Sequence, residues 1–594
     1  MGDYDNEESN DRGKTKFKKP IQLFTYRKEE AEGHVNAAED EGKVRAEGEA
    51  NEVKEVEEVK EEQARGRGGH QSEDAGDPLD IEIEEIPIIA HMKKGGDKKK
   101  EDKPRQTPIP DRIEDYIEML EKQVGYKVSF DVVVREMTFG DKRTALFFMN
   151  GFAKDEVLTE VLIRLTYLQP DDLSSNAFRS FLELYVPAVQ VTHETDWNSM
   201  MTDVLSGASA LYIDGEAAVL LIDAKRFPGR GPEEPSLERV VRGSRDGFVE
   251  TLMVNVTLVR RRLRDKQLRY EIMRVGERTQ TDVCIAFIDD IVDKELLKSI
   301  RDKIEQVKLD GLPLADKQLE EATVKRGWSP FPLVRYSERP DVVAAHLLEG
   351  NVAVFVDTSP SVMILPTTYF DHIQHAEENR QTPFIGTYLR WIRYFGILSS
   401  LFVLPLWFLF TLQPELKPPA LSFLGAQEAG KIPMVAQFLL AEGGVDLMRL
   451  AAVHTPAPLS TAMSLVAAIL IGDIAVKTGL FVNEVILYMA VAAIGMFATP
   501  SYELGLANRI VRLVLIVAVA LFKVPGFMLV TTLLLIMLAT ERSFNRPYMW
   551  PFIPFDLKGM WNVIFRMPVL HNRTRPNLLK PQQRDKMPKA KGNG

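Results

Sequence analysis

The sequence predicts a disordered, charged N-terminal tail, then an α/β (or α+β) soluble domain, then an α-helical multi-pass membrane domain. Three observations carry this. Long apolar runs follow one another from Tyr394 to Thr540. Nearly all the acidic charge lies before Ile385. Between tail and membrane region, strand-like and helix-like patterns mix, which fits a layered domain of both element types. The expected boundaries are 1–107 for the tail, 108–384 for the cytoplasmic domain, 385–541 for four to six membrane segments, and 542–594 for a basic cytoplasmic tail.

Composition narrows the function classes. At 594 residues the chain has room for several domains. A net charge of -11 gives no electrostatic support for a nucleic-acid partner. The one cysteine, Cys284, excludes an intrachain disulfide framework and a cysteine-based zinc site. It sits in the apolar run Val283–Ile288, as an inert buried thiol does. The N-terminus has neither an apolar signal core nor a myristoylation pattern. Runs such as EGEANEVKEVEEVKEEQARGRGG hold too little apolar surface to offset the entropy of ordering. Ile81–Met92 is a short apolar stretch within that tail.

Folded structure is expected from about Pro108. Lys127–Arg135 and Thr144–Asn150 read as strands. Asp155–Leu168 and Asp171–Leu184 have helical spacing with acidic starts. SALYIDGEAAVLLI (209–222) reads as a hairpin turning at Asp214-Gly215, a pair suited to a type I′ turn. VAVFVD (352–357) and VMILP (362–366) form a second hairpin. A strand over Val283–Ile288 and a helix over Lys294–Val307 lie between. Asp246–Arg264 carries Val249, Leu252, Val256, Val259 and Leu263 at helical spacing, ending in Arg260, Arg261, Arg262 and Arg264. That pattern fits a core helix with a basic C-terminus, or a contact to anionic lipid or a partner. If helical, it also sets Arg242, Asp246 and Glu250 four residues apart.

Tyr394–Leu412 is free of charge and long enough to span a bilayer. Further candidates are Leu459–Val476, Val482–Thr499 and Ile510–Leu538, the last interrupted by Lys523, Pro525 and Gly526. It is either one kinked helix or two short ones in a hairpin. Met434–Val453, with Glu442, Asp446 and Arg449, lies in the interface or crosses within an oligomer. Arg390 and Arg393 precede the first span; Arg542, Arg546, Lys558 and Arg566 follow the last. Both flanks are therefore cytoplasmic and the number of crossings is even. Six segments, unlike four, put Arg509 and Arg512 on the cytoplasmic side. Asp473 and Lys477 lie four apart in an apolar run, and Glu484 opens the next. They either neutralise one another or line a wet ion path. Small residues around them (Ala467, Ala468, Gly472, Ala475) permit close helix approach.

Enzyme chemistry finds no footing. No phosphate-binding loop is present, His193-Glu194 lacks a second histidine, and Asp289-Asp290 reads as a solvent-facing pair at the end of a strand, with no other support for general acid/base work. Asp371, His372, His375 and Glu377 read as a solvated juxtamembrane stretch before they read as metal ligands. No cofactor is implied.

Three ordered phrases carry a resemblance: EEPSLERVVRGSRDGFVETLMVNVTLVRRRLRD (233–265), GERTQTDVCIAFI (276–288) and SERPDVVAAHLLEGNVAVFVDTSPSVMILP (337–366). Their order resembles the A-subunit family of spore germinant receptors, the GerA family. The family pattern falls on Glu234, Pro235, Glu238, Val241, Arg242, Gly243, Gly247, Phe248, Val249, Glu250, Asn255, Leu258, Arg260 and Arg261. It continues at Arg278 and Thr281, and at Glu338, Arg339, Pro340 and Asp341; Asp246 lies within the first phrase. The resemblance spans roughly 110–570, and residues 449–513 and 543–561 point to one branch of the family. The receptor motif R-E-A…R-x-P is altered here to Arg449, Leu450, Ala451, then His454, Thr455, Pro456. That departure argues against direct coupling to a nutrient-sensing B subunit. The resemblance implies a multi-pass protein of the bacterial spore inner membrane, both termini cytoplasmic, assembled as a homo-oligomeric ring around an ion pathway that opens in germination. Other germination membrane proteins are its implied partners. A non-conducting scaffold is the alternative; a transporter lacks support, because no internal repeat is evident.

Overall fold

The computed structural model describes residues 107–173, 177–186, 190–226, 238–324, 329–421, 425, 430–454 and 474–586. The N-terminal tail, Glu234, Pro235, most of Leu459–Val476 with Asp473, and the last eight residues lie outside them.

The soluble domain is α+β, the second of the two expected classes. Its ten strands form two five-stranded sheets, and every pairing among the described residues is antiparallel. The first sheet comprises β1 (Val132–Phe139), β2 (Lys142–Met149), β3 (Val191–Glu194), β4 (Ser209–Ile213) and β5 (Val219–Ile222), in the order β1-β2-β4-β5-β3. The second comprises β6 (Leu268–Val275), β7 (Thr281–Ile288), β8 (Arg335–Ser337), β9 (Val352–Val356) and β10 (Val362–Leu365), in the order β6-β7-β9-β10-β8. Renumbered from one, the second order is the same as the first. The helices repeat too. α1 (Ile113–Val124), α2 (Asp155–Leu165) and α3 (Trp197–Leu205) stand before β1, after β2 and before β4. Their counterparts α4 (Leu252–Arg262), α5 (Lys294–Glu305) and α7 (Pro340–Glu349) stand before β6, after β7 and before β9, with α6 (Ala315–Thr323) added. The domain is thus a tandem structural repeat, absent from the residue pattern because the two halves share topology rather than side chains. The two hairpins read from sequence occupy equivalent positions in the two halves.

Both faces of the second sheet are buried, and its side chains divide by the two-residue period of a strand. Val283, Ile285 and Phe287 join one core cluster, Cys284, Ala286 and Ile288 the other. Val352, Val354 and Val356 separate from Ala353 and Phe355 in the same way. Burial on both sides explains why these strands read as unbroken apolar runs.

Two local expectations are corrected. The β4–β5 connection is longer than a two-residue type I′ turn, since Tyr212 pairs with Val219 and only Gly215 has positive φ (89°). Asp214 is used elsewhere: its carboxylate accepts from the Ile113 N–H at the start of α1, at 2.9 Å. The second correction concerns Asp246–Arg264, of which only Leu252–Arg262 is helical. Residues before it are irregular and are held by hydrogen bonds to other segments and to α4. The Val249 N–H donates to the Asn255 side-chain oxygen at 2.8 Å, and the Asn255 amide donates back to the Val249 carbonyl. The Phe248 N–H donates to the Glu338 carbonyl at 2.8 Å. Arg242, Asp246 and Glu250 therefore do not share a helix face.

Beyond the soluble domain run α8 (Pro383–Leu412), α9 (Met434–His454), α10 (Asn483–Phe497) and α11 (Tyr502–Thr540). Among the described residues, α8 and α11 have the length and apolarity to cross a membrane. α11 is not straight. Lys523 has φ 54° and ψ -128°, outside helical space. A straight helix of 39 residues would reach about 58 Å at 1.5 Å per residue, yet both its ends meet the soluble domain. Glu503 pairs with Lys317 of α6 at 2.8 Å, and the Ser543 hydroxyl donates to the Leu333 carbonyl at 2.7 Å. At the tip a Cβ on Gly526 would overlap the Ala518 carbonyl eight residues earlier. Residues 502–522 and 524–540 are therefore two arms of an antiparallel helical hairpin. α8 and α10 cross closely, since a Cβ on Gly495 would overlap the Gly396 carbonyl oxygen.

The segment after α11, expected as a basic tail, is folded as far as Lys586. It carries α12 (Leu557–Ile564). Its Arg575 donates to the Leu348 carbonyl at 2.7 Å, and its Gln582 side chain donates to the carbonyls of Asp289 and Val292. Arg390 and Arg393, which read as basic residues flanking the first span, are both paired with the buried Glu378.

Candidate functional site

The first and third of the family-like phrases converge on one hub centred on a buried arginine. The sequence SERPD ends β8 and starts α7, with Pro340 at the first helical position and Asp341 in the first turn, both suited to a helix N-terminus. Immediately before them Arg339 is 0% exposed. Its guanidinium donates two bonds to the Asp341 carboxylate, both 3.1 Å, one to the Glu238 carbonyl at 3.0 Å and one to the Ser244 carbonyl at 2.9 Å. The Glu238 carboxylate accepts from the Ser337 hydroxyl at 2.7 Å and from the Glu338 N–H at 3.2 Å. Arg380 reaches Asp341 from the other side. Gly243 lies under Arg380 with φ 140°, where any Cβ would overlap the guanidinium. Burial raises the Asp341 carboxyl, but the Arg339 and Arg380 guanidiniums outweigh it and hold the group below the usual carboxylate range. Glu338 goes the other way, raised by burial and then by the Glu238 charge.

Asp246 accepts from Ser244 and pairs with Arg262 of α4. Phe248 meets Phe355 edge-on at 5.8 Å, and Gly247 is buried beside it. Asn255 is buried on α4. The hub thus unites Glu238, Gly243, Asp246, Gly247, Phe248, Asn255, Glu338, Arg339, Pro340 and Asp341. Four predicted residues stand outside it. Arg242 and Glu250 are exposed. Arg278 pairs with Asp310 at 2.8 Å on an exposed turn, and Thr281 bonds Thr279 at 2.9 Å. At the basic end of α4, Arg260 and Arg262 hold structural pairs, whereas Arg261 and Arg264 are exposed. Arg260 is 1% exposed, paired with Asp131 at 2.9 Å and stacked 4.9 Å over the Tyr270 ring, and so ties the two halves of the domain together.

In the helical region, the placements differ from the sequence reading. Asp473 lies outside the described residues. Lys477 is exposed at the end of a short helix, Ala475–Lys477, ahead of a turn at Gly479. Glu484 is in the first turn of α10. Val482 and Val485 pack with Leu404, Trp407 and Phe408 near the C-terminus of α8, so this turn sits at the end of the helices away from the soluble domain. Lys477 is therefore not a mid-helix charge.

Among the described residues another cluster is embedded. Glu442 of α9 is 1% exposed. Its carboxylate pairs with Arg512 at 2.6 Å and Arg509 at 3.0 Å, both on the first arm of α11. Arg512 also donates to the Ser400 carbonyl of α8 at 2.7 Å, and Arg509 to Asp446, which is half exposed. Three helices are thereby joined by charges within an apolar assembly, where such groups persist only when paired. Sequence reading used Arg509 and Arg512 as topology markers. Their signal as a site was the presence of Glu442 and Asp446 four residues apart on another apolar helix.

The model of the Bacillus/Clostridium GerA spore germination protein family matches residues 118–578. The chain is 46% identical over 495 residues to stage V sporulation protein AF of Bacillus subtilis (strain 168), covering 82% of this chain and 99% of that protein. It is 29% identical over 483 residues to spore germination protein KA of the same organism, covering 80% and 88%. It is 28% identical over 467 residues to spore germination protein GerLA of Bacillus cereus, covering 78% and 94%. The crystal structure of the N-terminal domain of the A subunit of the Bacillus megaterium spore germinant receptor GerK3 aligns with 44% of this chain and 97% of that domain, at 25% identity and a TM-score of 0.34. With a family match spanning most of its length, the chain belongs to the GerA family of spore germination proteins.

Proposed function

We propose that this protein is a multi-pass subunit of a homo-oligomeric ion channel in the spore inner membrane that promotes ion release during germination. The observation that carries the reading is the Glu442–Arg509–Arg512 cluster buried among α8, α9 and α11. Charges in such surroundings cost about 3 kcal/mol each on insertion scales, so they are retained where they serve packing or passage. Six segments fit this reading: α8, α9, the span expected from sequence over Leu459–Val476, α10 and the two arms of α11. An even count returns the chain to the side of the soluble domain, where the segment to Lys586 docks, and puts both termini in the cytoplasm. Large apolar side chains exposed on α11, such as Leu521, Leu529 and Ile536, support contact with lipid and with further copies in a ring. Other germination membrane proteins are its natural partners.

A second reading, a non-conducting scaffold that clusters germination proteins, draws on the same cluster: its charges neutralise one another. Purified protein reconstituted in liposomes decides. Ion flux that changes with Glu442→Gln supports the channel. Intact oligomers without flux support the scaffold.

A further inference from the structure

The chain after α11 carries an apolar surface that the soluble domain leaves uncovered. Phe552, Ile553 and Phe555 are 41%, 48% and 66% exposed, and Val569 and Leu570 are 71% and 69% exposed. Between them α12 buries Gly559 and Val563 and turns Leu557 and Trp561 outward. Soluble proteins seldom leave so much contiguous apolar surface uncovered. Its position says what covers it. The Trp391 indole N–H of α8 donates to the Ile564 carbonyl at 3.0 Å. The Trp391 ring meets Phe565 at 5.6 Å, and Phe565 meets Trp561 at 4.5 Å. On α8 itself Phe384, Tyr388, Trp391 and Phe395 form one exposed stripe at helical spacing, running into the charge-free stretch that starts at Tyr394. The aromatic surface of α12 thus continues the lipid-facing stripe of α8 at the depth where Trp and Tyr favour the headgroup boundary. Exposed Lys558 and Arg573 lie alongside, complementary to anionic headgroups.

We infer that residues 552–570 form an interfacial anchor, lying in the headgroup–acyl boundary of an anionic bilayer without crossing it. An amphipathic segment with aromatic and basic residues binds there by buried apolar area plus charge attraction. The inference rests on α8 spanning the membrane and is independent of conduction.

The test uses the full chain with Cys284→Ala, reconstituted in phosphatidylglycerol–phosphatidylethanolamine vesicles. A single cysteine carrying an environment-sensitive fluorophore is placed by Phe555→Cys or, separately, Leu570→Cys. Leu398→Cys on α8 and Leu314→Cys on the soluble domain serve as references; they are 57% and 67% exposed. Quenching by lipids with a nitroxide near the headgroup should exceed quenching by aqueous iodide at both test sites, as expected for a segment buried at the headgroup–acyl boundary. Leu314 should show the reverse. Iodide quenching at Phe555 and Leu570 equal to that at Leu314 overturns the anchor. So does protection from both quenchers, which would indicate a second copy or another protein on this face. Absence of lipid quenching at Leu398 as well would instead overturn the membrane reading of α8.

Discussion

Replacing Arg339 by alanine removes the centre of the hub. Arg339 is fully buried and makes four bonds, two to the Asp341 carboxylate and two to backbone carbonyls. Truncation leaves the Glu238 and Ser244 carbonyls without that donor and leaves Asp341 facing Arg380 alone. Breaking a buried charge pair by removing one partner costs about 3–5 kcal/mol. At roughly 2–4 °C per kcal/mol for a domain of this size, the midpoint falls by about 6–20 °C. The chain supplies its own reporter. Cys284 is the only cysteine, and it is fully buried in β7. A thiol-reactive dye added to the full chain in detergent gains fluorescence as the soluble domain unfolds. Arg339→Lys keeps the charge but loses the planar fork, and should fall between alanine and the parent. A shift below about 6 °C for Arg339→Ala, the lower end of that range, would refute the hub as a stabilising centre.

Other outcomes follow from the same geometry. Arg242→Ala, at an exposed position outside the hub, should leave the dye-detected midpoint within about 1 °C, as surface substitutions do, so any loss of oligomer or germination it causes reports a contact between proteins. Glu442→Gln leaves Arg509 and Arg512 with reduced compensation and should lower the yield of folded protein, while Glu442→Gln with Arg512→Met should recover part of it in size-exclusion profiles. His346 is pushed down to about 4 by burial and by Arg335, whose guanidinium lies 3.3 Å from Nε2 against the opposing Asp371 charge. The unfolded chain takes up that proton near pH 6.5, so its contribution is complete above pH 6.5 and is lost as pH falls towards 4. His346→Gln should flatten the midpoint-versus-pH curve over that interval.

Much of the architecture was legible because local patterns and tertiary needs agreed. The run VAVFVDTSPSVMILP is a hairpin, since β-branched residues suit a buried pleat and the connection can turn. Lys294–Glu305 is a helix with Asp293 capping it, its carboxylate accepting from the Glu295 N–H. Other features depended on residues far apart in the chain. Asp246 to Glu250 has helical spacing but is not helical, because Asn255, Glu338 and Phe355 hold it with contacts that outweigh a marginal propensity. Asp-Gly at 214–215 has turn chemistry, yet Asp214 serves the start of α1.

The sequence alone determined that an α+β or α/β domain precedes apolar helices, that Cys284 is buried, and that the ordered phrases from Glu238 to Asp341 mark a family. Periodicity, turn chemistry and motif order are local properties, and each survives folding. Only the tertiary structure decided that the two sheets repeat one strand order, that α11 folds back at Lys523, and that Glu442, Arg509 and Arg512 meet as embedded charges among the described residues. Those outcomes depend on which helix lies against which. A buried carboxylate is stable only where a guanidinium from another helix meets it, and no spacing within a single segment encodes that meeting.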